Sequence, residues 1–126
     1  MRAYTVATTA VALGVSSKWV DNILSHHQVP GVHQARQGIA RRVTPGALLI
    51  LDIAVNLVRS LALPLPRALE TAQRLIDAGG EKVPLTGALS IEISADLRAL
   101  TNDLSARLEH AVEMSPIPRR GRPRRK

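Results

Sequence analysis

One stretch, Val6 to His27, constrains the fold more than any other. Ala10, Gly14, Val15, Val20 and Ile23 stand along it at spacings that suit two short helices meeting across a tight turn. Ala10 is small enough for two helices to cross closely, and Gly14 can take the left-handed conformation that ends the first of them. Val20 and Ile23, three apart, turn back toward that first helix. Ser16 or Ser17 supplies the cap of the second. With Val20 and Ile23 inward, the opposite face carries Ser17, Lys18, Asp21, Asn22 and Ser25, side chains suited to base edges and phosphates. This is the pattern of a helix-turn-helix, which lays its second helix in the major groove of duplex DNA. An ordinary helical hairpin with a solvated outer face carries the same residues, so the pattern leaves both open.

The flanking residues extend the reading. Thr5 caps a helix expected over Val6 to Leu13, and Tyr4 serves either a phosphate or the edge of the core. Trp19 reads as structural, because duplex DNA offers no unstacked base for it to meet. Pro30 and Gly31 stop helical structure, and Val32 to Val43 reads as a two-stranded hairpin with a basic tip around Gly38. His33, Arg36, Arg41 and Arg42 on that hairpin would lie along the sugar-phosphate backbone, as a wing beside the recognition helix. His26, His27 and His33 lie near one another in the chain. With no cysteine, no carboxylate cluster and no i,i+4 spacing they predict no metal site.

Thr44 followed by Pro45 opens the next helix, since the hydroxyl can cap it and proline at the first position forfeits no hydrogen bond. Ala47 to Leu63 is largely apolar, with Asp52, Asn56, Arg59 and Ser60 on one narrow stripe. That predicts a central, mostly buried helix, whose length and two charges argue against a membrane span. Leu63-Pro64-Leu65-Pro66 forces a corner. A further helix to about Ala78 turns Leu65, Leu69, Ala72, Leu75 and Ile76 inward, and Gly79-Gly80 ends it.

Residues 4–78 together resemble the DNA-binding domain of the MerR family of bacterial regulators. The likeness is carried by the opening YTV, by ALGVSSKWVDNIL as helix-turn-helix, by VPGV into the wing, by RRVTPGALLIL entering the third helix, and by VRSLALPLPRALETA as the helix pair that follows. The resemblance implies a winged-helix DNA-binding domain, a homodimer and a palindromic operator. The chain departs from the family pattern in two ways. Asp21 stands where a basic residue is usual in the recognition helix, and no cysteine-bearing or large ligand-binding sensor domain is present. The second departure favours a simple repressor over an inducer-driven activator.

Beyond residue 80 the character of the chain changes twice. Residues 1–80 carry eight Lys/Arg against four acids, residues 81–115 three against six, and residues 116–126 six against none. Two basic regions thus flank an acidic one, which favours a polyanion partner at both ends and a different task between them. Leu89, Ile91 and Ile93 alternate with Ser90, Glu92 and Ser94, predicting a strand with one buried face. It must pair with the Lys82 to Leu85 run, with the wing, or with its mate in a dimer. Ala95 to Met114 returns to helical spacing. Its apolar face of Leu97, Leu100, Leu104, Leu108 and Ala111 either folds back on the chain's own core or pairs with another chain, and pairing is what the resemblance favours. Leu97, Leu100, Leu104 and Leu108 are accordingly the expected dimer contacts. From Ser115 onward the chain reads as an extended basic tail. Arg119, Arg120, Gly121, Arg122, Pro123 and Arg124 in it are the expected contacts to DNA. The Arg120-Gly121-Arg122-Pro123 core is similar to an AT-hook, in which glycine reaches the floor of the minor groove and arginines enter its negative potential. A nonspecific electrostatic arm fits the same residues.

A chain of 126 residues buries one modest core. The absence of cysteine excludes disulfides, thiolate metal sites and a cysteine nucleophile. No signal-peptide pattern opens the chain, so a cytoplasmic, nucleoid-associated address is expected. No nucleophile–base pair, carboxylate dyad or phosphate loop is visible, which argues against an enzyme, and no cofactor is expected. The expected fold is mainly α. It comprises a winged helix-turn-helix over 1–80, a strand and amphipathic dimerisation helix over 81–115, and a basic tail over 116–126. The expected function is sequence-specific binding of double-stranded DNA by a homodimeric transcriptional regulator, a repressor. Two alternatives stand beside it: an antitoxin that holds DNA through 1–80 and a toxin through 81–115, and an architectural or partition protein. The first would co-purify with a stoichiometric partner, and the second would show weak sequence preference.

Overall fold

In the computed structural model of the chain, residues 3–34, 40–85 and 89–114 are described. Thr5 begins the first helix, α1 (Val6–Leu13), with its side-chain oxygen accepting from the Thr8 N–H at 3.1 Å. Gly14 ends that helix at φ 71°, and its N–H returns to α1 carbonyls. Ser16, the last residue of a three-residue turn, caps α2 (Ser17–His26) by accepting from the Trp19 N–H at 3.0 Å. The chain then forms a short antiparallel hairpin of β1 (Val32–His33) and β2 (Arg42–Val43), in which Val32 faces Val43 and His33 faces Arg42. Tyr4 joins β2 from the other side through two backbone hydrogen bonds with Val43, each 2.8 Å, so the N-terminal segment extends the small sheet. Its ring lies half-buried against the core.

Thr44 links this sheet to the core helix. Its hydroxyl donates to the Gly31 carbonyl at 2.8 Å and accepts from the Ala47 N–H, capping α3 (Pro45–Leu61) with Pro45 in the first turn. Nine residues of α3 are buried, Leu48 and Leu51 almost completely, as expected of a central helix. The helix stops at Leu61, two residues short of the expected Leu63. Ala62 adopts the left-handed conformation there, at φ 54°, ahead of the Leu63-Pro64 corner. Next, α4 (Leu65–Asp77) packs along α3 through Ala68, Leu69, Ala72 and Leu75. Gly79 and Gly80, both at positive φ, end it, and the Gly80 carbonyl accepts from the Ala95 N–H at 2.9 Å.

A second antiparallel hairpin follows, β3 (Val83–Leu85) with β4 (Ile91–Ile93), so the predicted strand pairs with the Lys82 to Leu85 run. The expected buried face of that strand is corrected. Leu89 is 74% exposed and Ile91 46%, and Ile93 alone of the three is half-buried. The hairpin rests on α4 through β3, whose Val83 and Leu85 are buried, so β4 is the outer strand. Only its end beside Ala95 reaches the core.

Asp96 caps α5 (Leu97–Met114), its Oδ1 accepting from the Ala99 N–H at 3.0 Å. This helix crosses α1 and touches α3. Leu104, Leu108 and Ala111 are buried within the single chain, and Leu97 and Leu100 are half-buried against the same core. That corrects the assignment of Leu104 and Leu108 as dimer contacts. The core was not complete without α5: α1, with small buried residues such as Ala10, Ala12 and Thr9, leaves room for a helix to lie close. The architecture is therefore mainly helical, with five helices and two small antiparallel hairpins among the described residues. No helix among them is long and apolar enough to cross a membrane.

Candidate nucleic-acid interface

The site is built on α2. Val20 and Ile23 are wholly buried, 0% and 2% exposed, which fixes the helix about its own axis and turns Ser17, Lys18, Asp21, Asn22 and Ser25 outward. All five are exposed, as their spacing predicts. Trp19 is half-buried and packs on the core, lining a hollow with Val15, Val55, Val58 and Arg59. His26 donates from Nδ1 to the Asn22 carbonyl at 2.8 Å, closing the last turn of the helix.

The β1–β2 hairpin lies beside this face. Its alternation puts Val43 in the core while His33 and Arg42, directly opposed, stand in solvent. Arg41 has a different position from the one expected of a phosphate ligand. Its Nη1 lies 3.6 Å from Asp21 Oδ1, and its Nη2 donates to Ser25 Oγ at 3.4 Å. Asp21 and Ser25, four apart on α2, thus form a seat for the guanidinium, and its side chain is only 24% exposed. Three of the predicted contact residues are therefore bonded to one another. Arg36, and Arg119 to Arg124 in the tail, lie outside the described residues.

Two further arginines hold this platform in place, and sequence reasoning assigned neither that role. Arg59 of α3 donates from Nη2 to the Gly14 carbonyl at 2.9 Å, at the turn between α1 and α2. Arg107 of α5 makes three contacts: Nη1 to the Ala12 carbonyl at 2.8 Å, Nη2 to Asp52 Oδ2 at 3.0 Å, and Nε to Asp103 Oδ2 at 3.0 Å. Asp52, expected on a polar stripe of α3, is 3% exposed. Burial works against the charge on Arg107, but the hydrogen bond and charge of Asp52, followed by those of Asp103, outweigh it and raise its pKa above the ordinary arginine value. The only sequence signal for this network was an acid inside a largely apolar helix.

Among the described residues no group of three or more His, Cys, Asp or Glu gathers to hold a metal ion. What the surface offers is hydrogen bonding and charge. Asn22 presents donor and acceptor together, the combination that matches the adenine edge, and Lys18 and Arg42 are exposed cations on either element. No family model matches the chain, and no curated protein or solved structure is significantly similar to it.

Proposed function

We propose that this chain binds double-stranded DNA, with α2 in the major groove and the β1–β2 hairpin along the adjacent backbone. One observation carries the proposal. Ser17, Lys18, Asn22 and Ser25 form a polar face on a helix locked from behind by Val20 and Ile23, with the exposed Arg42 on the hairpin beside it. The mainly helical fold with two small antiparallel hairpins is compatible with a winged helix, and the specific form of the proposal is a winged helix-turn-helix of the kind that the MerR-family resemblance implies, acting as a transcriptional repressor. Lys18 and Arg42 would fix register on phosphates, and Asn22 would read a base. The tail, with six cations and no acid over 116–126, adds an electrostatic contact.

A palindromic operator calls for two copies. With Leu104 and Leu108 in the chain's own core, the exposed Leu89 and Ile91 on the second hairpin supply apolar surface for a protein contact in the acidic 81–115 segment. Selection of bound duplexes from a random library with the purified full chain tests the function. A recovered motif with inverted symmetry is expected. Asn22→Ala should alter the preferred base at one position, with about 1–3 kcal/mol of discrimination lost, while Arg42→Ala weakens all sequences alike. Recovery of no enriched sequence, with binding at background level, would refute the proposal.

A further inference from the structure

The Arg41–Asp21–Ser25 contact joins the two halves of the candidate interface. Asp21 is the one acid on the outward face of α2, and Arg41, twenty residues further along the chain, immediately precedes β2. The carboxylate is more than half exposed, at 53%, so it sits on the surface that would meet a polyanion. An acid there repels phosphate, and it also occupies a cation that would otherwise attract phosphate. Both effects lower sequence-independent attraction, the component of DNA binding that depends on charge alone.

Building on the proposed DNA-binding function, we propose that Asp21 is a specificity-determining residue that acts by holding Arg41. In the free protein the guanidinium is bound to Asp21 and Ser25. On random duplex it stays there, because one phosphate offers no better partner than a carboxylate already in place. A surface pair of this kind is weak. A site whose backbone lies close along the hairpin, because α2 is seated correctly in the groove, can therefore draw Arg41 onto a phosphate. Asp21, thus released, can accept from an exocyclic amine such as that of cytosine. Discrimination against the wrong sequence then includes an unmade phosphate contact as well as an unmade base contact.

The test is a double-mutant cycle read by fluorescence anisotropy on a random-sequence duplex over a range of salt concentrations. Asp21→Asn in the wild-type background should tighten binding by about 2- to 5-fold, the range that the strength of an exposed ion pair allows. It should also steepen the slope of log affinity against log salt by about 0.9, the signature of one added phosphate contact. In an Arg41→Ala background the same substitution should leave the slope unchanged and lose most of the gain. Neither residue belongs to the hydrophobic core, so circular dichroism should show all variants folded. An equal gain in both backgrounds would mean that Asp21 acts only through its own charge and would overturn the inference. No gain in either background would overturn it as well. If wild type and every variant fail to bind duplex at all, the proposed function falls first, and that result is distinct from binding without coupling.

Discussion

Replacing Arg107 by methionine removes the guanidinium while keeping a flexible apolar stem of similar length. The variant strands Asp52, which is 3% exposed and accepts from Arg107 Nη2, and it also strips the Ala12 carbonyl of its donor. Breaking a fully buried ion pair by deleting one partner costs about 3–5 kcal/mol. The Arg107 side chain is 34% exposed, so water reaches the gap and the expected cost falls to roughly 2–3 kcal/mol. For a chain of this size that corresponds to a melting temperature lower by about 10 °C. The second variant is Asp52→Asn/Arg107→Met, in which no charge is left behind. It should recover about half the loss, because the penalty lies in the uncompensated carboxylate more than in the missing attraction. Urea unfolding followed by circular dichroism measures global stability, and fluorescence of Trp19, the sole tryptophan, reports the packing behind α2. An Arg107→Met variant within about 0.5 kcal/mol of wild type would refute the reasoning. So would a double variant no more stable than the single one.

The glycine pair after α4 makes a second prediction: Gly80→Ala should destabilise by about 2–4 kcal/mol in urea unfolding, since its new Cβ would meet the Ala95 carbonyl oxygen at a backbone φ of +87°. Gly79→Ala, at φ +68° with open space around it, should cost only about 1 kcal/mol. Leu104→Ala should cost about 2–5 kcal/mol, and Leu104→Glu should unfold the chain rather than release folded monomers, as sedimentation and circular dichroism together would reveal. Deleting Pro116 to Lys126 should leave the thermal melt unchanged while flattening the salt slope of DNA binding by up to about five units, one increment of about 0.9 for each cation.

What could be read from the sequence was local. The caps Thr5, Ser16 and Thr44 and the left-handed Gly14 act within a few residues, so spacing alone placed α1 and the start of α3, and narrowed the cap of α2 to Ser16 or Ser17. The β1–β2 pairing followed from short apolar runs separated by a turn, whereas the Lys82 to Leu85 run was one of three partners open to the strand that became β4. Periodicity names a face without naming its cover. The Leu104–Leu108 stripe looks the same whether another chain or α1 lies against it, and the alternation of Leu89, Ile91 and Ile93 does not say that β4 would be the outer strand. The arginine contacts were further out of reach. Arg107 lies 55 residues from Asp52 and 95 from Ala12, separations at which no spacing rule operates. Arg41 was closer to legible: Asp21 and Ser25 stand one helical turn apart on the face toward the hairpin, a seat for a cation that a reading centred on phosphates overlooks.

Arg59 and Arg107 share a consequence for α2. A helix leaves its last carbonyls without partners, and a cation near them is favoured by the helix dipole by about 0.3–1 kcal/mol. At the end of α1 the Ala10 and Val11 carbonyls are satisfied by the backbone of the turn and the Ala12 carbonyl by Arg107 from α5, while the carbonyl of Gly14, just past the helix, is satisfied by Arg59 from α3. Donors from two separate helices therefore converge on the few residues that set the angle between α1 and α2. At eight residues, α1 is too short to be stable by itself, since isolated helices below about 12–15 residues are marginal in water. Its geometry is imposed by what packs and bonds around it, and α2 inherits that geometry through Val20 and Ile23. The acidic 81–115 segment thereby gains a role in the chain's own architecture: through α5 it braces the turn on which the candidate recognition helix is mounted.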